Sequence, residues 1–269
     1  MTWLVGAART DTGLKRNENQ DSFFLDESLS LFLVADGMGG AASGQLAGRL
    51  VAETVAEYVR RYVDETPEDD LRYDFYDDAL SPKANTVLQA VHLANSLLYD
   101  ASHKEDENKG MGSTLAALLL DEEHVLVVHV GDSRVMRFRE GRLEKLTVDH
   151  RVSEDPEFRN LVNPEATVIT QMGHTLTRAM GVRERVKPDL DRLPVEPGDL
   201  FLLCSDGLSD MVEPALIEKV LAMDKSLEKK AGLLVDMALA GGGRDNVTVV
   251  LVEVVSGRIK GLLKKITGD

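Results

Sequence analysis

The sequence predicts an α+β fold in which helices cover the outer faces of largely antiparallel sheets. Two helical blocks alternate with long runs of strand-like segments, and short turn signals such as Glu140-Gly141 link neighbouring strands as hairpins. The apolar runs are also short. Leu31 to Ala35, in LFLVADGMGG, is a stretch that suits a buried strand better than a helix.

Trp3–Arg9 places Trp3, Val5 and Ala7 on one side, a strand pattern, and the polar stretch Thr10–Asp21 reads as a loop. Ser22–Asp26 is a short strand leading to a turn at Glu27–Ser30. The run Leu31–Ala35 then stops at Asp36-Gly37, which Met38-Gly39-Gly40 carries into a helical pattern. Ser43 is positioned to cap that helix, with Leu46, Leu50, Val55, Tyr58, Val59 and Tyr62 as its apolar face. Asp64–Asp78 is an acidic connector. Pro82 opens a second helix with Val87, Val91, Ala94, Leu97 and Leu98 toward the core, and Lys104–Gly110 is a charged loop. Thr114–Leu120 and His124–Val130 form one hairpin, and Val135–Arg139 and Arg142–Leu146 another. Val148–Ala179, with Pro156 and Pro164, is an irregular, partly helical excursion of the kind that covers a site. Val186–Leu193 and Leu200–Cys204 are strands around the turn Pro197-Gly198-Asp199. Pro214–Met223 and Leu227–Leu239 are helices, Gly241-Gly242-Gly243 ends the second, and Asn246–Val255 is a final strand. Residues 1–256 read as one domain, followed by a short basic, amphipathic tail at 257–269, most simply a surface helix.

At 269 residues, 43% hydrophobic and 29% charged, the chain can bury one substantial core. A single cysteine excludes an intrachain disulfide framework and fits a reducing compartment. The N-terminus shows no signal-peptide pattern, and no apolar stretch approaches the ~20 residues of a spanning helix. A cytoplasmic location is therefore expected. The net charge of −15 argues against a nucleic-acid partner and favours divalent cations.

The chemistry lies in where the carboxylates fall. Three apolar runs end in an aspartate beside a glycine: LFLVADG at Asp36, VLVVHVGDS at Asp132 and LFLLCSDG at Asp206. Asp245 stands at the start of NVTVVLVEV. If the last strand is antiparallel to its neighbours, all four carboxylates gather at one sheet edge. There they repel one another by roughly 4 kcal/mol per close pair at intermediate dielectric, and bound metal relieves this more readily than protonation. Taken singly, each is a strand-end turn residue; the shared grammar argues for a centre. Carboxylates with the Gly37 carbonyl and no clustered His or Cys describe hard oxygen ligation, Mg²⁺ or Mn²⁺ and not Zn²⁺. Two such ions activate a bridging water and neutralise an attacked phosphoryl group. Arg16 lies five residues before Asp21, and its guanidinium offers the fork that grips a phosphate; Lys15 is the weaker candidate.

In order and approximate spacing, TDTGLKRNENQD, LFLVADGMGGAASG, MGSTLAALLL, VHVGDSRVMRF, TLTRAMG, LLCSDGLSD and GGRDNVTVVLV resemble the protein phosphatase 2C family of metal-dependent serine/threonine phosphatases, its bacterial branch most closely. The resemblance runs from about Thr10 to Val252. It implies a central antiparallel β-sandwich flanked by helix pairs on both faces (α-β-β-α). It implies two Mn²⁺ or Mg²⁺ ions bridged by Asp36, with Asp206 and Asp245 on one ion and the Gly37 carbonyl on the other. Asp132 with Asp210 would hold a third, weaker ion, Arg16 would bind the phosphate, and Asn246 would orient Asp245 or its waters. A hydroxide bound to the binuclear centre would attack phosphoserine or phosphothreonine. The partners implied are phosphoproteins, a Hanks-type kinase and that kinase's substrates, with this chain a monomer.

Two departures stand out. Gln20-Asp21 replaces the family's Glu-Asp, so the second ion should be held more weakly and Asp21 should carry more of the work. Met38 stands where animal members carry a histidine proposed as general acid. The covering segment Arg151–His174 matches the family loosely. The rival readings are weaker. Cys204 lacks the arginine of a cysteine phosphatase loop and sits among anions, which would raise its pKa. Gly39–Gly44 lacks the Lys-Ser/Thr of a P-loop. His150 and His174 read as packed or solvated histidines. The alternative from another class is a catalytically impaired relative acting as a signalling or binding module.

Overall fold

The computed structural model describes residues 2–63, 76–104, 108–156 and 175–256. Two sheets face each other. One runs in the order β1 (Thr2–Asp11), β11 (Val247–Ser256), β10 (Leu200–Cys204), β7 (Arg134–Arg139) and β8 (Arg142–Lys145). The other runs β2 (Asp21–Asp26), β3 (Leu31–Met38), β5 (Leu115–Asp121), β6 (His124–Val130) and β9 (Asp189–Pro194), with the two-residue β4 (Gly112–Ser113) beside the end of β3. The pairings are antiparallel. Helices α1 (Ala41–Tyr62) and α2 (Pro82–Lys104) cover the second sheet. On the first lie α3 (Asp206–Ser209), α4 (Pro214–Leu221) and α5 (Leu227–Ala240). This is the α-β-β-α sandwich that the resemblance implies.

The central strands are apolar without alternation because both of their faces are buried. In β3, Phe32 and Val34 point between the sheets while Leu31, Leu33 and Ala35 meet the helices. In β10, Phe201 and Leu203 point inward and Leu200, Leu202 and Cys204 face the helix layer. Each buried Leu, Val or Phe among them is worth roughly 1.5–3 kcal/mol of burial. On β1, Leu4 and Ala8 turn toward the inter-sheet core, and Gly6 leaves room there for the Phe32 ring.

Turns follow local chemistry. Glu140 and Gly141 both have positive φ, 51° and 78°, the type I′ geometry that matches hairpin twist. Gly242 and Gly243, also at positive φ, end α5. Some details depart from the sequence reading. Gly40, and not Ser43, is the N-cap of α1; Ser43 is buried within the first turn. Leu46 and Leu97 are exposed, and the buried face of α1 is Ala47, Val51, Val55, Tyr58 and Val59. The helix is rotated because Gly44 and Gly48 press against β3. The strand predicted from Val186 begins at Asp189, although Val186 itself is buried. Of the connector predicted at Asp64–Asp78, residues 64–75 lie outside the described residues, as do 157–174 of the excursion and the tail 257–269.

Glycine placement sets the close approaches at the sandwich end. A Cβ on Gly37 would fall 1.9 Å from the Gly44 carbonyl oxygen, and one on Gly207 would fall 1.9 Å from the Asn246 carbonyl oxygen. Gly207→Ala should therefore lower stability by about 3 kcal/mol through backbone overpacking. Gly232→Ala in α5, where a Cβ meets open space, should raise it by about 0.5–1 kcal/mol. Urea unfolding of the two variants beside wild type measures both; equal shifts would contradict the packing account.

Candidate metal centre

Strand register brings the acidic residues together. Asp21 on β2 is the direct partner of Asp36 on β3. In the facing sheet the β10–β7 ladder ends at Cys204 opposite Arg134; continued two residues, it sets Asp206 against Asp132. β11 is antiparallel to β10, so Asp245, two residues before its start, lies at the same end. The expected gathering of Asp36, Asp132, Asp206 and Asp245 occurs, and Asp21 joins it.

The backbone there is braced by short motifs whose role is not evident from pattern alone. The Asp36 N–H donates to Thr114 Oγ1 at 3.0 Å, and its carbonyl accepts from the Thr114 N–H at 2.8 Å and the Ser113 hydroxyl at 3.0 Å. Thr114 Oγ1 in turn bonds Ser133 Oγ at 2.6 Å, tying the strand end of Asp36 to the neighbour of Asp132. The N–H of Gly37 donates to the Gln20 carbonyl at 3.2 Å.

Crowded and desolvated, these carboxyls hold protons tightly. Burial, then Asp21 and Asp206, push Asp36 well above the usual carboxylate range. Burial followed by Asp132 and Asp210 lifts Asp206 to about 7, with Arg151 opposing. Asp21 rises to about 6 through burial, against the pull of the Thr248 and Ser205 hydroxyls. Asp132 is also raised by burial, partly offset by Arg151.

Arg16 reaches this group: its Nη2 donates to Asp245 Oδ2 at 2.7 Å while the side chain stays half exposed. Lys15 beside it is exposed. Asn246 is expected to orient Asp245 or its waters; its side-chain amide turns to the loop that carries Arg16. Its Nδ2 donates to the carbonyls of Thr12 and Glu18, both at 2.8 Å, and its Oδ1 accepts from the Gln20 N–H at 2.9 Å. Asn246 thus staples the loop that carries Arg16, and only its backbone N–H meets Asp245 Oδ1. Gln20 Nε2 donates to the Gly40 carbonyl at 3.3 Å.

Two arginines that the sequence reading missed belong here. Arg151 Nε donates to Asp132 Oδ2 at 2.5 Å, and its Nη2 lies 2.9 Å from Asp206 Oδ2 and 3.5 Å from Asp210 Oδ2. The run Asp149-His150-Arg151, three chemistry-bearing residues after a hairpin, was the available signal. Arg244, adjacent to Asp245, lines an open cleft of about 370 Å³ together with Asp206, Gly207, Asp210, Met211 and Asp245.

His129, His150 and Asp189 also cluster within ligating distance. His150 Nδ1 accepts the Gly131 N–H at 3.0 Å, so its Nε2 carries the proton toward Asp189 at 3.2 Å. His129 Nε2 faces the Val148 carbonyl, which can only accept. These rings are committed to hydrogen bonds, and burial lowers both pKa values, His150 to about 4. His150 is a packed histidine; His174 lies outside the described residues. Cys204 is buried and pushed up to about 12, chiefly by desolvation and only secondarily by the anions invoked from sequence.

An antiparallel sandwich with an all-oxygen acidic centre at one end defines a hydrolase class built for hard divalent ions. The family described as Protein phosphatase 2C matches residues 6–240. The serine/threonine protein phosphatase PstP of Mycobacterium tuberculosis is 36% identical over 249 residues, covering 93% of this chain and 45% of that one. The serine/threonine phosphatase stp of Listeria monocytogenes is 30% identical over 249 residues, 91% of this chain and 94% of that one. The catalytic domain of PstP, solved with two manganese ions, superposes with a TM-score of 0.77 at 34% identity, covering 95% of this chain and 100% of that one. The chain belongs to the protein phosphatase 2C family.

The residues fit a divalent centre. Asp21 Oδ1 is buried with no hydrogen-bond partner among the described residues, and Asp36 is half-buried among like charges. Asp36→Asn should therefore stabilise the metal-free protein. Because folding raises the pKa of Asp36, ionising it costs stability as pH rises, so the advantage of Asn should grow from pH 5 to pH 8. Thermal melts in chelator measure this, and Mn²⁺ should reverse the ranking by stabilising wild type alone.

Proposed function

We propose that the chain hydrolyses phosphoserine and phosphothreonine in proteins at a two-ion Mn²⁺ or Mg²⁺ centre held by Asp36, the Gly37 carbonyl, Asp206 and Asp245. The observation that carries the reading is the meeting of Asp36, Asp206 and Asp245 at one sandwich end, in a chain of this family. When bound, the ions make water nucleophilic at neutral pH and neutralise charge on the attacked phosphoryl group.

The chain's own residues do the rest. Asp36, half-buried beside Asp21 and Asp206, would be the central ligand of such a centre. Asp21, stacked behind it and hydrogen-bonded by Ser205 at 2.7 Å, supplies negative charge that the neutral Gln20 beside it does not. Arg16 receives and orients the phosphate. Its charge is secured by its hydrogen bond to Asp245, and its exposed guanidinium can turn from that carboxylate to the substrate once Asp245 is engaged by an ion. Arg244 on the cleft wall adds positive charge where a phosphopeptide would lie. A thiol nucleophile has no part in this chemistry, since Cys204 is buried and holds its proton. Neither Met38 nor the buried His150 can protonate the departing serine or threonine oxygen, so water in the open cleft must do so.

Phosphorylated proteins are the substrates, a Hanks-type kinase and its targets the natural partners, and the cytoplasm the setting; the chain acts as a monomer. No described helix is long and apolar enough to cross a membrane.

With Mn²⁺ and para-nitrophenyl phosphate, wild type should turn over and Asp206→Asn should lose at least ~100-fold of that activity. A phosphopeptide panel should favour phosphoserine and phosphothreonine over phosphotyrosine. Arg16→Ala should raise KM more than it lowers kcat. Absence of any turnover sensitive to Asp206→Asn would instead support a binding module. Gln20→Glu should tighten the weaker Mn²⁺ about tenfold by calorimetry; unchanged affinity would remove Gln20 from the account.

A further inference from the structure

Arg151 stands where the sequence reading expected a third cation. Its guanidinium contacts Asp132 at 2.5 Å, Asp206 at 2.9 Å and Asp210 at 3.5 Å, and the side chain is only 6% exposed. Those are the carboxylates that a further ion beside the two-ion centre would need. We propose that Arg151 is a resident cation of the acidic centre, which occupies this third position and limits the chain to two metal ions. The inference rests on the two-ion reading above and concerns the site next to it.

Three features make the guanidinium a fixture and not a passing occupant. First, the backbone on both sides is pinned. The His150 N–H donates to the Gly131 carbonyl at 2.9 Å, the His150 carbonyl accepts from Thr177 at 2.8 Å, and Val152 donates to the Thr175 carbonyl at 3.0 Å. Second, the preceding side chains are committed elsewhere. Asp149, wholly buried, takes a bidentate grip from Arg134 and a 2.7 Å contact from Lys145, while His150 bridges Gly131 and Asp189. Asp149 is thus neutralised by its own cations and does not draw Arg151 away. Third, a guanidinium spreads a permanent single charge over a planar fork of donors, which matches several carboxylate oxygens at once. A divalent ion entering there would have to expel a buried, positively charged side chain from the carboxylates of Asp132, Asp206 and Asp210.

Arg151 is on this account a positioning residue: it holds Asp206 by one oxygen while leaving the rest of that carboxylate to the two-ion centre. An arginine in this place also makes the third position independent of metal supply.

The test counts ions. Full-length wild type, Arg151→Ala and Arg151→Lys are dialysed against graded Mn²⁺ into the millimolar range, and bound manganese is measured by elemental analysis. Melting temperature is followed across the same titration. Wild type and Arg151→Lys should saturate at two ions per chain. Arg151→Ala should bind a third in the millimolar range, and its melting temperature should be lower without metal yet gain more from Mn²⁺ than that of wild type. If Arg151→Ala cannot be folded, Arg151→Gln, which keeps donors without charge, is read in its place. A third ion in wild type, or only two in the charge-removed variant, overturns the inference and leaves the two-ion centre standing. A wild type that takes up no ion overturns the centre and the inference together.

Discussion

Like-charge crowding of buried carboxylates governs this molecule. Asp21, Asp36, Asp132 and Asp206 sit at or just beyond the ends of paired strands, so they cannot move apart without unpairing the sheets. Two anions at contact distance cost several kcal/mol at intermediate dielectric. The fold bears that cost because its three apolar layers are large, and it is relieved by whatever positive charge the site can hold. Protons, arginines and divalent ions can each supply that relief. The raised pKa values of Asp36 and Asp206 and the engagement of Arg151 and Arg16 are the same fact seen from two sides.

Holding the charges so close depends on residues that carry none. Gly37 lets the backbone of α1 lie against β3, and Gly207 lets the start of α3 press on the residue after Asp245. Gly131, at φ 102°, brings the chain against Thr114, whose hydroxyl bonds both the Asp36 N–H and Ser133. Each aspartate–glycine pair is therefore one device in two parts: the carboxylate supplies the charge, and the glycine removes the Cβ that would hold the next carboxylate away.

That division explains what was legible beforehand. The strands were readable because burial on both faces leaves no polar residue in LFLVA or LFLLC, and the Asp-Gly ends marked their rims. The acidic centre followed from antiparallel pairing alone. Harder to see were roles that depend on where a side chain turns. Asn246 bonds three backbone groups of the Arg16 loop and leaves its amide no contact with Asp245, a choice made by loop geometry and not by residue type. Arg151 lies in an irregular segment without periodicity, fixed in space by an isolated bridge to Leu176 and by a buried histidine. Leu46 follows the helical period but points outward, because small residues at Gly44, Ala47 and Gly48 decide which side of α1 can approach the sheet.

The same electrostatics bears on how a phosphoprotein is received. A chain of net charge −15 repels dianionic phosphate at long range, though at physiological salt this reaches only ~8 Å. Recognition must therefore be arranged within the cleft. Arg16 stands at the rim, exposed enough to exchange its carboxylate for phosphate, and Arg244 lies on the wall beside Asp245. Arg151 cannot join them, since it is enclosed by Asp132 and Asp206. The arginines thus divide by burial: the enclosed one compensates the protein's own anions, and the accessible ones are left to compensate the substrate's. An excess of acid over base outside the cleft does not oppose this arrangement, because it concentrates the divalent ions on which the centre depends.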